Sequence, residues 1–197
     1  MNYLAFLQKE IHSAAFATIA ADGRPQVRII DIMLCDESSL YFLTAKGKEF
    51  YRQLTEQQFV AVTGVKDQKA VSLRGKVRIA DPALLDEMFE QNPYMKEIYP
   101  GNTRKALEAF QIYEGEGEFF DLTCKPVFRE AFTLSGSTAY ALSYHIIDAC
   151  TGCGSCLAVC PQSCISSASV PYRIAAEHCL HCGACRKVCP SGAVRFD

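Results

Sequence analysis

The sequence predicts an α+β, mainly β protein in two parts, a small N-terminal β-barrel and a short C-terminal α+β domain organised by cysteine. Short, partly alternating apolar runs separated by turn residues fill the first two thirds of the chain. Nine of the eleven cysteines fall between Cys150 and Cys189. The cysteine-rich stretch is also an internal duplication. The expected division is residues 1–138 and 139–197.

The barrel elements follow in order. Phe16–Ala20 reads as a strand, and Ala21-Asp22-Gly23-Arg24 as the turn after it. Pro25 opens a second run, Gln26–Leu34, rich in β-branched residues; Asp36–Ser39 is a turn and Leu40–Thr44 a third strand. Lys48–Leu54 has the pattern of a helix. Phe59–Thr63 and Ala70–Ile79 return to strand. Asp81-Pro82 pairs an N-cap residue with proline in the first helical position and opens a helix to about Gln91. A helix near Arg104–Ala109 and strands near Glu118–Leu122 and Val127–Thr133 complete this part. Many short antiparallel strands with few helices suggest a small barrel.

Composition bounds the function. Hydrophobic residues make up 49% and charged residues 21% of the 197, enough for a buried core. A net charge of −2 suggests neither a nucleic-acid binder nor a membrane-surface protein. The first ten residues lack a basic region leading into an apolar stretch, no run is long enough to cross a bilayer, and the expected location is cytoplasmic.

In a reducing compartment, dense cysteine points to metal ligation rather than disulfides. Cys150, Cys153, Cys156 and Cys160 precede Pro161, and Cys179, Cys182, Cys185 and Cys189 precede Pro190. Both runs read C-x2-C-x2-C-x3-C-P, the bacterial spacing for a cubane cluster. The second run is the first displaced by 29 residues, with Gly154, Val159 and Pro161 recurring as Gly183, Val188 and Pro190. In this pattern the fourth cysteine serves the other cluster. The metal ligands are therefore Cys150, Cys153, Cys156 and Cys189 for one [4Fe–4S] cluster, and Cys179, Cys182, Cys185 and Cys160 for a second. Structural zinc is the alternative, but zinc ribbons set paired C-x2-C knuckles apart with a longer insert. Of the remaining thiols, Cys164 reads as a buried filler whose repeat partner is Ala193, and Cys35 and Cys124 read as core residues. His178 and His181 flank the second run. Residues 143–197 resemble the two-cluster bacterial ferredoxins. Free ferredoxins of that kind are markedly acidic, whereas here Arg173, Arg186, Lys187 and Arg195 balance Asp148, Glu177 and Asp197, which suits a tethered module.

Residues 1–135 carry four ordered cues: the hairpin Asp22-Gly23-Arg24-Pro25-Gln26-Val27-Arg28; the strand end Thr44-Ala45-Lys46-Gly47-Lys48; Leu73-Arg74-Gly75-Lys76-Val77 before the Asp-Pro helix; and the close Glu118-Phe119-Phe120-Asp121-Leu122. In this order they resemble the pyridoxamine 5′-phosphate oxidase family of FMN-binding split barrels. The resemblance implies a homodimer with FMN across the interface. It implies that Arg28 and Lys48 hold the flavin phosphate with help from Lys46, that Val27, Ile29, Ile30 and Thr44 contact the ring and ribityl chain, and that Arg74 contributes from a neighbouring strand. A dianionic phosphate needs such cationic groups. At each place the bland reading is a solvated charge at a strand end. No second phosphate site is evident, and an oxygen-labile cluster domain suits the reductase branches of the family better than its oxidases.

Two functions stand together. One is an FMN- and iron–sulfur-dependent oxidoreductase passing electrons between two clusters and a barrel-bound flavin, and reducing a nitroaromatic-, quinone- or flavin-like molecule under anaerobic conditions. The other is an electron-transfer relay with no substrate of its own. A variant of either replaces FMN with haem or nothing. A donor or acceptor protein is a further expected partner. No dinucleotide glycine fingerprint is present, and no catalytic residue stands out; His12 and Tyr94 are candidates for an acid, each more often a packing or surface residue.

Overall fold

The computed structural model describes residues 1–135 and 142–197. An α-helical turn, α1 (Tyr3–Ala5), runs into a π-helical turn at Phe6–Ile11 and then into β1 (Ser13–Ile19) and β2 (Pro25–Cys35). The β1–β2 turn is closed by Gly23 N–H donating to Ala20 O at 2.9 Å, and Gly23 supplies the φ of 81° that the turn requires. β3 (Leu40–Ala45), α2 (Glu49–Gln57), β4 (Phe59–Lys66) and β5 (Lys69–Ile79) follow. Asp67 and Gln68, both at positive φ, make the two-residue β4–β5 turn. Then come α3 (Leu84–Gln91), α4 (Met95–Ile98), a 3₁₀ turn at Gly101–Ala106, β6 (Leu107–Asp121) and β7 (Phe128–Thr133).

The sheet runs β3-β2-β1-β4-β5-β6-β7, and β3 also pairs with β6, so six strands close a barrel and β7 lies outside it. Alternation drives the closure: along β5, Val71, Leu73, Gly75 and Val77 turn inward and their neighbours outward. The interior is aromatic, with Phe42 4.8 Å from Phe16 and 5.7 Å from Phe110 between ring centres. α2 plugs one end through Phe50, Gln53 and Leu54, at i, i+3 and i+4. A second core forms where Met88, Phe89 and Met95 of α3 and α4 pack on Met33, Leu34, Leu43 and Ala109.

β5 and β6 approach closely because glycines face one another. A methyl on Gly115 would run into the Arg74 carbonyl, and one on Gly75 into the Glu114 carbonyl. Gly115→Ala is expected to destabilise the barrel by about 1–3 kcal/mol, the usual cost of overpacking, as read from the midpoint of thermal unfolding.

Two sequence expectations change. The helix near Arg104–Ala109 is a 3₁₀ turn that ends at Ala106, and Leu107 already begins β6. Buried residues recur along the whole strand, at Leu107, Ala109, Phe110, Ile112, Gly115, Phe119 and Asp121, and it runs without a break to Asp121, so the stretch from Glu118 is its end and not a separate strand. Asp81 does cap the following turn, with Oδ1 accepting from Ala83 N–H at 2.9 Å, although the regular helix starts at Leu84.

The chain divides into two compact units, and residues Phe120–Ala131 belong with the C-terminal one. The expected boundary at 138/139 lies outside the described residues. The C-terminal unit repeats itself. β8 (Tyr144–Ile146), α5 (Ser155–Val159) and β9 (Ile165–Ser166) are matched by β10 (Arg173–Ile174), α6 (Ala184–Lys187) and β11 (Val194–Phe196). β8 pairs with β11 and β9 with β10, so each two-stranded sheet takes one strand from each half. The left-handed conformation repeats as well: Gly152 at φ 71° corresponds to His181 at φ 54°. Among the described residues no helix is long and apolar enough to cross a membrane.

Candidate functional site

Three constellations carry chemistry. The first two are thiol cages in the C-terminal unit. Gly154 and Gly183, both left-handed, turn each loop into its short helix, and the third cysteine of each run, Cys156 and Cys185, is buried on that helix. Cys160 follows α5 as its C-cap, so the helical turn precedes the fourth ligand. Cys150, Cys153, Cys156 and Cys189 line one cavity of about 300 Å³ with Tyr172 and Val194. Cys160, Cys179, Cys182 and Cys185 line another of about 340 Å³ with Tyr144 and Ile165. Among the described residues no three ligating side chains gather tightly enough for a single metal ion. Four thiols around one cavity are a donor set for a cubane.

The thiols are prepared unequally. The Ser155 hydroxyl lowers the pKa of Cys153, and that of Ser191 lowers Cys189. Burial pushes Cys156 and Cys185 up. Burial also opposes the Cys160 thiolate, but hydrogen bonds led by the backbone of Cys164 and Gln162 outweigh it. Main-chain N–H groups point at sulfur, from Ala193 to Cys189 at 3.3 Å and from His181 to Cys179 at 3.4 Å. Cys164 is the buried filler expected, 3.5 Å from Cys160 Sγ and pushed up to about 12, chiefly by burial. Its repeat partner Ala193 is also fully buried. Cys124 is exposed and Cys35 half-buried, so neither is a core residue; Cys124 follows β6 in the loop toward β7. His178 Nδ1 lies 2.9 Å from Val127 O, and Arg129 donates to Cys179 O at 3.2 Å.

The third constellation lies where β1, β2 and the start of α2 meet. Arg28 donates to Thr18 Oγ1 at 2.5 Å, Gln26 Oε1 at 3.0 Å and Gln53 Oε1 at 3.1 Å, and stacks over the Phe50 ring at 4.4 Å. Every one of these partners is neutral. Burial alone lowers the Arg28 pKa, with no carboxylate opposing it. A half-buried cation with no counter-ion among the described residues, at the mouth of a helix whose first N–H groups lack a side-chain cap, is a cradle for an anion. Lys48 is the exposed N-cap of that helix. Lys46 is instead paired with Glu108 at 3.4 Å, and Arg74 with Glu116 at 2.5 Å. Thr44 Oγ1 is buried without a hydrogen-bond partner among the described residues. Val27 and Ile29 stand on the outer sheet face, 66% and 65% exposed, while Ile30 faces the other way and is half-buried. Sequence reasoning missed Thr18, Gln26 and Gln53. The signal was a glutamine on the apolar stripe of α2, between Phe50 and Leu54.

The pyridoxamine 5′-phosphate oxidase family profile matches residues 2–122. The chain belongs to that family. A 4Fe-4S dicluster domain profile matches residues 141–194. Among solved structures, a NimC/NimA family protein from Clostridium acetobutylicum is similar at 24% identity, over 64% of this chain and 88% of its own, with a TM-score of 0.54. A protein of the same organism related to general stress protein 26, of the pyridoxinephosphate oxidase family, is similar at 15% identity over 66% and 89%, also at 0.54. PhzG from Burkholderia lata, in complex with tetrahydrophenazine-1-carboxylic acid, is similar at 15% over 67% and 88%, at 0.52. These likenesses show the fold. No curated protein sequence matches. As a member of the pyridoxamine 5′-phosphate oxidase family with a 4Fe-4S domain, the chain is a redox protein whose cofactors are FMN and [4Fe–4S]. The uncompensated Arg28 and the orphaned Thr44 hydroxyl fit the flavin, and the thiol cages fit the clusters.

On the same barrel, His12 Nε2 lies 3.0 Å from Tyr94 OH, which donates to Asp31 Oδ2 at 2.7 Å. Burial, then the hydrogen bond to Asp31, raises the Tyr94 pKa. A raised phenol contributes stability that is complete below the ordinary tyrosine range and is lost only as pH climbs through the higher folded value. Tyr94 is therefore expected in the late-titrating class of an ultraviolet pH titration, and Tyr94→Phe should remove one tyrosine from that class.

Proposed function

We infer that the chain is an FMN- and iron–sulfur-dependent oxidoreductase that carries electrons between two [4Fe–4S] clusters and a barrel-bound flavin to reduce a small nitroaromatic-, quinone- or flavin-like acceptor. The observation that carries this reading is the presence, in one chain, of two four-thiol cages and an anion cradle made by an unpaired arginine. When bound, FMN supplies the exchange between one-electron carriers and a two-electron substrate. The protein's part is to hold the phosphate with Arg28 and Lys48 and to offer Val27 and Ile29 as an apolar wall. That wall is also the support for a homodimer. Val27 and Ile29 register with Ala17 and Ala15 of β1, and Ala17 with Ala61 of β4, leaving an apolar face open to solvent. Eleven unpaired cysteines suit a reducing cytoplasm, and a donor protein would deliver electrons to the clusters.

Anaerobic purification with flavin, iron and sulfide counts tests the reading, together with the molar mass in solution. FMN with cluster iron in the purified protein, and anaerobic turnover of a quinone or nitroaromatic, is the expected result. A folded protein without flavin would sink it. Flavin and clusters without turnover of any such acceptor would make the chain a relay.

A further inference from the structure

We propose that His12 is the catalytic residue that donates a proton to the substrate, with Tyr94 and Asp31 as its positioning residues. This rests on the oxidoreductase reading above.

The placement comes from the β1–β2 register. Val27, Ile29 and Asp31 alternate onto one face of β2, opposite Ala17, Ala15 and Ser13. The apolar wall therefore ends in a carboxylate, and His12 directly precedes Ser13. Asp31 is fully engaged: Oδ1 accepts from Ser13 Oγ at 2.5 Å and Oδ2 from Tyr94 OH at 2.7 Å. The one phenolic proton is thus committed to Asp31, and Tyr94 oxygen can only accept from His12. It follows that Nε2, 3.0 Å away, carries a hydrogen. Nδ1 has no partner among the described residues, and the side chain is 33% exposed. One nitrogen is held as a donor and the other has no partner among the described residues, an arrangement that suits an imidazole to proton transfer.

The backbone is held for this purpose. His12 sits at φ 62° and ψ −63°, where a residue with a side chain is rarely found, at the end of a π-helical turn. Its N–H donates to Leu7 O and its O accepts from Ile32 N–H, each at 2.8 Å, so the strained geometry is fixed at both ends. The charged groups around it are few. Asp31 faces it from β2 and Tyr94 precedes α4, while Lys66 of β4 is neutralised by Glu10 at 2.9 Å.

The step balances simply. Reduction of a quinone to a hydroquinone takes a hydride and a proton. The hydride would be supplied by reduced FMN, which would be left oxidised. The Nδ1–H bond of the His12 imidazolium breaks, an O–H bond forms on the substrate oxygen, and the neutral ring regains its proton from water at its exposed edge.

The experiment uses the flavin- and cluster-loaded protein, reduced anaerobically and reoxidised in a stopped-flow instrument by benzoquinone or by ferricyanide, which takes electrons but no proton. His12→Gln is expected to slow reoxidation by benzoquinone about 100-fold. Ferricyanide rates and bound flavin should be unchanged. Ring ¹⁵N shifts of His12 in the oxidised protein should report the Nε2–H form when neutral, and a tautomer mixture in Tyr94→Phe. An unchanged benzoquinone rate, an equal loss with both acceptors, or a neutral Nδ1–H ring would overturn the proposal. A wild-type protein that holds no flavin, or is not reoxidised by benzoquinone, instead overturns the oxidoreductase reading and the role built on it, whatever the ring nitrogens show.

Discussion

Pairs of cysteine substitutions will separate the two cages by the crossed ligation that the cysteine spacing predicts. Cys150→Ser with Cys189→Ser removes two thiols from one cavity and is expected to leave the other cluster intact. Cys150→Ser with Cys160→Ser removes one thiol from each and is expected to cost both. The reason is the wall assignment: Cys189 lines the first cavity with Cys150, Cys153 and Cys156, while Cys160 lines the second with Cys179, Cys182 and Cys185. If each run instead held its own cluster, the two double variants would exchange their outcomes. Iron and sulfide per chain under strict anaerobiosis decide between them, at about half the wild-type content for the first pair and little for the second.

The same cages hold the C-terminal unit together. Its core consists of Cys156, Ile165, Tyr172, Cys185 and Val194, with Cys150, Cys160 and Cys189 packed against it. Tyr144, Ile146, Leu157 and Ile174 pack there too, so five of the twelve residues of this core are cysteines of the two cages. A domain of this size whose core is so rich in cysteine is expected to need a staple, which the clusters would provide. Chelating the iron anaerobically should therefore unfold residues 142–197. The barrel has Phe16, Phe42, Phe110 and Ile112 fully enclosed and should stay folded, leaving a protease-resistant N-terminal fragment. Survival of both halves would show that the thiols pack well enough alone.

How far the residues spoke for themselves differs between the two units. Cysteine spacing is a covalent ruler, and a repeat read from sequence became a repeat of strands, helices and even positive-φ positions. The barrel was legible as strands because β1 and β5 alternate, and its turns were legible as Asp-Gly and polar clusters. β6 was not: Gly115 and Gly117 look like a break, yet they are where backbone and the Phe132 ring need room. The flavin-side cations were the least legible. Arg28, Lys46, Lys48 and Arg74 look alike along the chain. What separates them is the presence of Glu108 and Glu116 on a strand more than thirty residues away from each paired base. Thr18 and Gln53 were invisible for the same reason, since only folding sets their oxygens against Arg28.

That difference in pairing gives the second large effect. Arg28→Ala should weaken FMN binding by about 10- to 100-fold, the loss of charge-assisted hydrogen bonds worth about 1.5–3 kcal/mol. Arg28→Lys should recover only part of it, because an ammonium cannot span Thr18, Gln26 and Gln53 while stacking on Phe50. Lys48→Ala should cost less, its flexible side chain being exposed at the helix start. Lys46→Ala and Arg74→Ala should change the affinity least, since Glu108 and Glu116 already neutralise those charges. Removing Arg28 leaves Thr18 Oγ1 and Gln53 Oε1 bonded to one another, so the barrel should keep its melting temperature within a few degrees. Flavin fluorescence titration of the apoprotein measures the series, and riboflavin, which lacks the phosphate, supplies the control. If Arg28 grips phosphate, its replacement lowers the affinity for FMN and leaves that for riboflavin unchanged. Equal losses for both ligands would move the arginine from the phosphate to the ring. A ranking led by Lys46 or Arg74 would mean that their carboxylate partners on β6 let go when flavin binds, and that the anion sits beside β6.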